Sequence, residues 1–230
     1  ATCAISRNIL TKTCRLAERE RFQVVHGIVD SLYLKKPGCS DGEYEEFAQK
    51  VQQLIGIHFA FEGRFRWIAF LPSKLQHKRG LLSKFYGVFT DGKVKARGIE
   101  TRRGDTPPII AKCQTDIINT LREASNLQEL RRLIPKAMEI LDDYLRRLEE
   151  GDVEVEELVF RKRLSRDPSA YGHRVSHAIA AQKLKRLGRE VSPGEDVNYV
   201  VASTAQDGLA EAVPLDIISE STVYDAKYYQ

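Results

Sequence analysis

Cysteine is scarce in this chain of 230 residues: Cys3, Cys14, Cys39 and Cys113 are scattered, with no Cys-x-x-Cys or Cys-x-x-His spacing among them. That pattern argues against a zinc ribbon or an iron–sulfur cluster, and the four side chains read as reduced thiols behaving as small hydrophobes. No apolar run approaches the length that spans a bilayer, and the N-terminus has no basic, hydrophobic, small-residue signal. A soluble, cytoplasmic protein with no membrane partner is the expectation. There is no internal repeat and no low-complexity segment. What is present is 42% hydrophobic and 30% charged residues, enough apolar material for a core in one large or two small domains.

The net charge of +4 is too small to name a partner, but its distribution is uneven. Glu139 to Glu157 holds nine acidic residues against Arg146 and Arg147, and Arg161 to Arg189 holds nine lysines and arginines against Asp167 alone. Such segregation gives one end of the molecule a positive field suited to phosphates. A charge run also serves as a plain solvated face, and composition alone leaves both readings open.

Ile5, Ile9, Thr13, Leu16 and Ala17 recur at helical spacing. Ser40-Asp41-Gly42-Glu43 is a capping box that opens a helix through Leu54, with Phe47, Val51 and Leu54 as its stripe and Gly56 as its stop. Strands are expected over Ile57 to Glu62 and Phe65 to Leu71, and over Ser83 to Phe89 and Lys93 to Arg97 around the turn dipeptide Asp91-Gly92. Beyond Pro107-Pro108 helix takes over, first Ile109 to Ala124, then Leu127 to Glu150 with Asn126 as cap and a kink or break at Pro135. An extended piece over Val155 to Phe160, a basic loop, a helix from Ser176 to Leu187 and a strand from Val197 to Ala202 follow. The fold class is α+β, with the sheet-based and mainly helical portions meeting within residues 88 to 108.

Between the first helix and the capping box lies Gln23-Val24-Val25-His26-Gly27-Ile28-Val29-Asp30-Ser31-Leu32-Tyr33-Leu34, two apolar runs about a turn, which reads as a β-hairpin with Asp30 at its tip. A two-metal nucleotidyl-transfer site holds a shared ligand in such a place, and one carboxylate cannot do that chemistry unaided. Asp30 also fits a turn aspartate bonded to its own loop.

Taken in order, the motifs resemble the C-terminal third of family B DNA polymerases, the replicative type of archaea, eukaryotes and some viruses. His26-Gly27-Ile28-Val29-Asp30-Ser31 is similar to the family's Tyr-Gly-Asp-Thr-Asp-Ser, Phe61-Glu62-Gly63-Arg64-Phe65 to its acidic strand element, and Lys84-Phe85-Tyr86-Gly87 to its Lys-x-Tyr motif. Arg97-Gly98-Ile99-Glu100 and Arg103-Gly104-Asp105 resemble Arg-Gly-Leu-Glu followed by Arg-Arg-Asp-Trp. Arg163-Leu164-Ser165-Arg166, Tyr171, Ser176-His177-Ala178, Pro193-Gly194 and Tyr199-Val200-Val201 resemble the thumb, and Tyr224-Asp225 with Tyr228-Tyr229 the last shared motif. Each match is weak alone, and their shared order is specific.

The resemblance implies a C-terminal palm segment over residues 1–90, an antiparallel sheet with flanking helices, and a mainly helical thumb over 91–230. It makes Asp30 a ligand of a two-metal Mg2+ site and Glu62 an accessory carboxylate. Ile28 stands where the family has its first aspartate of that motif, which leaves an inactivated, scaffolding paralogue as the alternative. Lys84 and Tyr86 would meet the primer terminus, and Arg163, Ser165, Arg166, Arg174, His177 and Lys183 would grip DNA phosphates, His177 being equally open to a structural role. Glu100, Arg103 and Asp105 would mark the palm–thumb junction, Arg103 and Asp105 as an ion pair. The implied partners are primer–template DNA, a dNTP, a sliding clamp, and the larger polypeptide of a split-gene enzyme, which carries the exonuclease, motif A with its aspartate, and the fingers.

Overall fold

A computed structural model describes residues 2–73, 75, 80–173, 175–202, 211–219 and 222–230. The chain divides into two compact units, Ala1–Gly98 and Ile99–Gln230. In the first, α1 (Thr2–Arg19) precedes the hairpin β1 (Gln23–Ile28) and β2 (Ser31–Lys35), then α2 (Asp41–Ile55) and the antiparallel sheet β3 (Phe65–Pro72), β4 (Gly80–Phe89), β5 (Val94–Arg97). In the second, α3 (Pro108–Arg122) and α4 (Leu127–Glu150) precede β6 (Phe160–Arg163), α5 (Ser176–Arg186), β7 (Asp196–Ala202), β8 (Glu211–Pro214) and α6 (Ala226–Tyr229). The expected α+β class stands. The first unit runs through Gly98, since β5 pairs along β4 from Val88–Val94 to Phe85–Arg97 and completes that sheet.

Alternation sorts the hairpin's two faces. Val24, Leu32 and Leu34 pack on the core built by Ala17 of α1 and Phe47 and Val51 of α2. His26 and Tyr33, cross-strand partners, face the other way onto Phe70 of β3 and Phe85 of β4. The hairpin is thus covered on both sides. The capping box of α2 forms as written, the Ser40 N–H donating to Glu43 Oε2 at 2.9 Å and the Glu43 N–H to Ser40 Oγ at 3.3 Å, and Gly56 closes the helix at φ +74°. Leu54, expected on the stripe, is 64% exposed, and Ala48 is buried in its stead. The strand expected over residues 57–62 is absent. That segment has no ladder partner, and it reaches β3 as irregular chain.

Pro108 opens α3 at its first turn, where a missing N–H costs nothing. Asn126 caps α4, its Oδ1 accepting from the N–H groups of Gln128 and Glu129 at 2.9 and 3.0 Å. The helix then runs unbroken through Pro135 to Gly151. Its stripe of Leu130, Leu133, Ala137, Ile140, Leu141, Tyr144 and Leu148 is half-buried to buried on both sides of the proline, so packing carries the turn that loses one bond. The extended piece expected at Val155 to Phe160 is a 3-10 turn over Val155–Leu158, and the start of the basic loop after it belongs to strand β6. A three-stranded sheet, β6-β7-β8, therefore stands in a portion expected to be mainly helical. Buried Tyr229 ties it together: its hydroxyl accepts from Val201 N–H at 2.8 Å and donates to the Leu158 carbonyl at 3.0 Å.

Candidate active-site hairpin and basic cluster

Two residues turn the hairpin, Val29 and Asp30, closed by the pair Ile28–Ser31 with Gly27–Leu32 next along the ladder. Val29 takes φ +50°, the left-handed region that glycine favours and a β-branched residue avoids, and it is 66% exposed. A conformation of this kind costs on the order of 1–3 kcal/mol and persists where the surroundings over-determine it. Here the surroundings are the two covered faces and a bulge at Val25 that twists β1 just before the tip. The result is an exposed Asp30 carboxylate at a tight corner, with Ser31 Oγ donating to Oδ1 at 3.1 Å.

Beneath that corner sits His26, 4% exposed, with ring centroids of Tyr33, Phe70 and Phe85 at 5.3, 5.0 and 6.2 Å. Burial holds its pKa below the ordinary imidazole value, with a backbone hydrogen bond to Leu82 acting against that shift and the Arg97 charge adding to it. Among the described residues the His26 Nε2 has no hydrogen-bond partner, and the buried Tyr33 hydroxyl has Lys95 as a polar neighbour. Tyr33 is flanked by Lys95 of β5, whose ammonium stands 5.9 Å from the ring centroid and pairs with Glu62. Glu62 is therefore an exposed carboxylate on irregular chain, committed to a lysine. Sequence reasoning met His26 only as part of the hairpin motif and gave Lys95 no role. Only the pairing of β1 with β2 and of β4 with β5 brings them here.

Lys84 and Tyr86 do share one face of β4, since Phe85 between them points to the hairpin side. That face turns away from His26 and Tyr33, and on it Tyr86 packs edge-on to Trp67 at 5.7 Å. Lys84 is exposed, and Tyr86 is half-buried with its phenol pKa raised by desolvation. At Gly98, φ +64°, a Cβ would collide with the Ser83 carbonyl oxygen, which explains the glycine after Arg97.

In the second unit the expected phosphate-gripping residues fall into three groups. Arg163 joins Arg161 on Asp196, with Nε–O distances of 3.1 and 2.8 Å that hold the Asp196 pKa down. Lys183 pairs with Glu211 at 2.5 Å. Ser165, Arg166 and His177 gather on Tyr171, beside a groove of about 390 Å³ that Tyr171, His173, Gln182, Lys183 and Arg186 help to line. Burial and Lys162 hold the His177 pKa below its usual value. Arg174 lies outside the described residues. Arg103 clasps Asp105 through two bonds of 2.9 and 3.0 Å, Lys162 adds a third contact, and together they push the Asp105 pKa far down. Glu100 accepts from Thr106 Oγ1 at 2.9 Å, so the expected Arg103–Asp105 ion pair forms within a small polar group.

A family model described as DNA polymerase family B matches residues 2–230. The chain belongs to DNA polymerase family B. It is 26% identical over 220 residues to a DNA polymerase of Archaeoglobus fulgidus, covering 96% of this chain and 26% of that protein. It is also 26% identical over 229 residues to DNA polymerase 2 of Aeropyrum pernix, covering all of this chain and 26% of that one. The chain thus spans about a quarter of the length of the curated relatives it matches. The structure of the family B DNA polymerase from Pyrobaculum calidifontis shares its fold, with a TM-score of 0.63 at 22% identity over 99% of this chain and 27% of that one.

Family B polymerases use divalent metal ions, and the donors here can be weighed against that need. Among the described residues no group of three or more His, Cys, Asp or Glu side chains converges. Asp30 has the right chemistry, a hard and exposed oxygen donor on a fixed corner, but Mg2+ demands near-octahedral oxygen ligation. One carboxylate fits as a single shared ligand and does not make a site. Among the described residues no helix is long and apolar enough to cross a membrane.

Proposed function

We propose that this family B chain supplies one metal-ligating aspartate, Asp30, and a DNA-gripping lobe to a DNA-directed DNA polymerase whose other catalytic carboxylates lie on polypeptide outside these 230 residues. In this reading residues 1–98 are the C-terminal part of the palm, and 99–230 are the thumb. The larger partner of a split-gene enzyme brings motif A, the fingers and the exonuclease, while the substrates are a dNTP and primer–template DNA. Two Mg2+ ions, when bound, stabilise the attacking and leaving oxygens of phosphoryl transfer. This chain's part is to hold Asp30 still: the strained Val29 turn and the buried His26–Tyr33 pair restrain the carboxylate before any ligand arrives. Lys84 and Tyr86 are assigned to the primer, and the Tyr171 cluster to phosphates. A sliding-clamp contact belongs to the same reading.

The exposure of Asp30 on a two-residue turn whose Val29 takes a positive φ carries the proposal. Its test is Asp30→Ala in the complex of this chain with the larger polypeptide. Loss of a shared metal ligand should lower primer extension on the order of a thousandfold with template binding retained. A second reading, a non-catalytic scaffold from an inactivated polymerase, is favoured by two observations: Ile28 occupies a motif position of aspartate, and Glu62 is bound to Lys95. Near wild-type extension by the Asp30→Ala complex selects the scaffold.

A further inference from the structure

Tyr171 was noted in the sequence only as part of a motif, yet three of the residues assigned to DNA meet on it. Its hydroxyl accepts the Ser165 N–H at 3.0 Å and lies 3.2 Å from Ser165 Oγ. The Arg166 guanidinium carbon stands 5.4 Å over its ring, and the His177 ring meets it edge-on at 5.2 Å. Arg166 and Ser165 are exposed, while Tyr171 and His177 are half-buried, so the tyrosine is the fixed member and the polar groups are its rim. Arg163 and Lys183, by contrast, are paired to Asp196 and Glu211. A guanidinium laid on an aromatic ring loses less rotamer freedom when it takes up a phosphate than one free in solvent.

We propose that Tyr171 is a positioning residue that gathers Ser165 Oγ, the Arg166 guanidinium and the His177 imidazole into one receptor for a backbone phosphate of duplex DNA. The proposal rests on the DNA-gripping reading above. Tyr171 touches no phosphate itself. It aims Arg166 through its ring and the Ser165 segment through its hydroxyl. Neutral His177 contributes a ring N–H, and Arg166 contributes the charge.

The test is binding of the whole chain to a short fluorescent DNA duplex across a salt series, in a double-mutant cycle of Arg166→Ala and Tyr171→Leu. Each single change should weaken binding about tenfold, and the double variant should bind no worse than Tyr171→Leu alone. The decisive readout is the slope of log K against log salt. It should fall by about one in Tyr171→Leu, which removes no charge, because an unsupported Arg166 no longer neutralises its phosphate. Tyr171→Phe keeps the ring under Arg166 and should keep the slope while losing the Ser165 part of the affinity. Additive losses, or an unchanged slope in Tyr171→Leu, overturn the positioning role and leave DNA gripping intact. Failure of the wild-type chain to bind the duplex overturns both.

Discussion

His26, the buried histidine of the candidate hairpin, is assigned no reactive role. It is buried against three aromatic rings, and among the described residues its Nε2 has no partner, so protonation there would bury a charge that the Leu82 backbone supports on one side only and that the nearby Arg97 opposes. Its folded pKa lies below the unfolded value of 6.5. A group of this kind leaves stability whole above the unfolded pKa and removes it as pH falls below that value, because the unfolded chain then binds more protons. His177 has the same sign. Replacing His26 by Phe should flatten part of the decline of the melting temperature between about pH 8 and about pH 5, the range in which imidazoles titrate. The expected outcome is a smaller acid loss than wild type, read by thermal unfolding. An identical pH profile would remove His26 from the account. The sequence could not reveal this role, because a histidine in a strand reads the same whether its partner face is open or covered. Only the turn aspartate, with its short-range signature, was legible.

At the scale of elements, what was readable was what local chemistry dictates. The capping box at Ser40, the Asn126 cap, the Asp91-Gly92 turn and the glycine stop at Gly56 are each decided by a few neighbouring residues, and each stands where the pattern put it. Illegible were the elements whose existence depends on distant partners. Residues 57–62 alternate well enough for a strand but have no ladder, while β6 looked like a basic loop until β7 supplied its hydrogen bonds from Phe160–Tyr199 to Arg163–Asp196. The α4 helix allows a clean test of the local part. Asn126 satisfies two orphan N–H groups at the start of a helix that also tolerates a proline. Asn126→Ala should therefore destabilise the chain by about 1 kcal/mol in denaturant unfolding, with an unchanged denaturant dependence. A loss near zero would mean that packing on α3 alone sets the start of α4.

Across the whole molecule, the order of motifs over residues 2–230 was the strongest signal, since each motif is linear and survives in a chain about a quarter identical to its relatives. Convergence was the part withheld: Glu62 meets Lys95, Arg161 meets Asp196, and Tyr171 collects its neighbours only after folding. The same reasoning bears on metal. If Asp30 is one ligand of a site completed from outside the chain, Mg2+ has little to bind in this chain alone. A complete site saturated a hundredfold above its Kd would stabilise the protein by about 2.7 kcal/mol, which raises Tm by several degrees in a protein of this size. A single exposed carboxylate leaves the ion mostly hydrated and gives almost nothing. Mg2+ added to the isolated chain should therefore leave its Tm within about one degree of the metal-free value, the same in wild type and Asp30→Ala. A rise of several degrees in wild type that Asp30→Ala abolishes would show a metal site complete within these 230 residues, and the larger polypeptide would then lose its assigned share of the ligands.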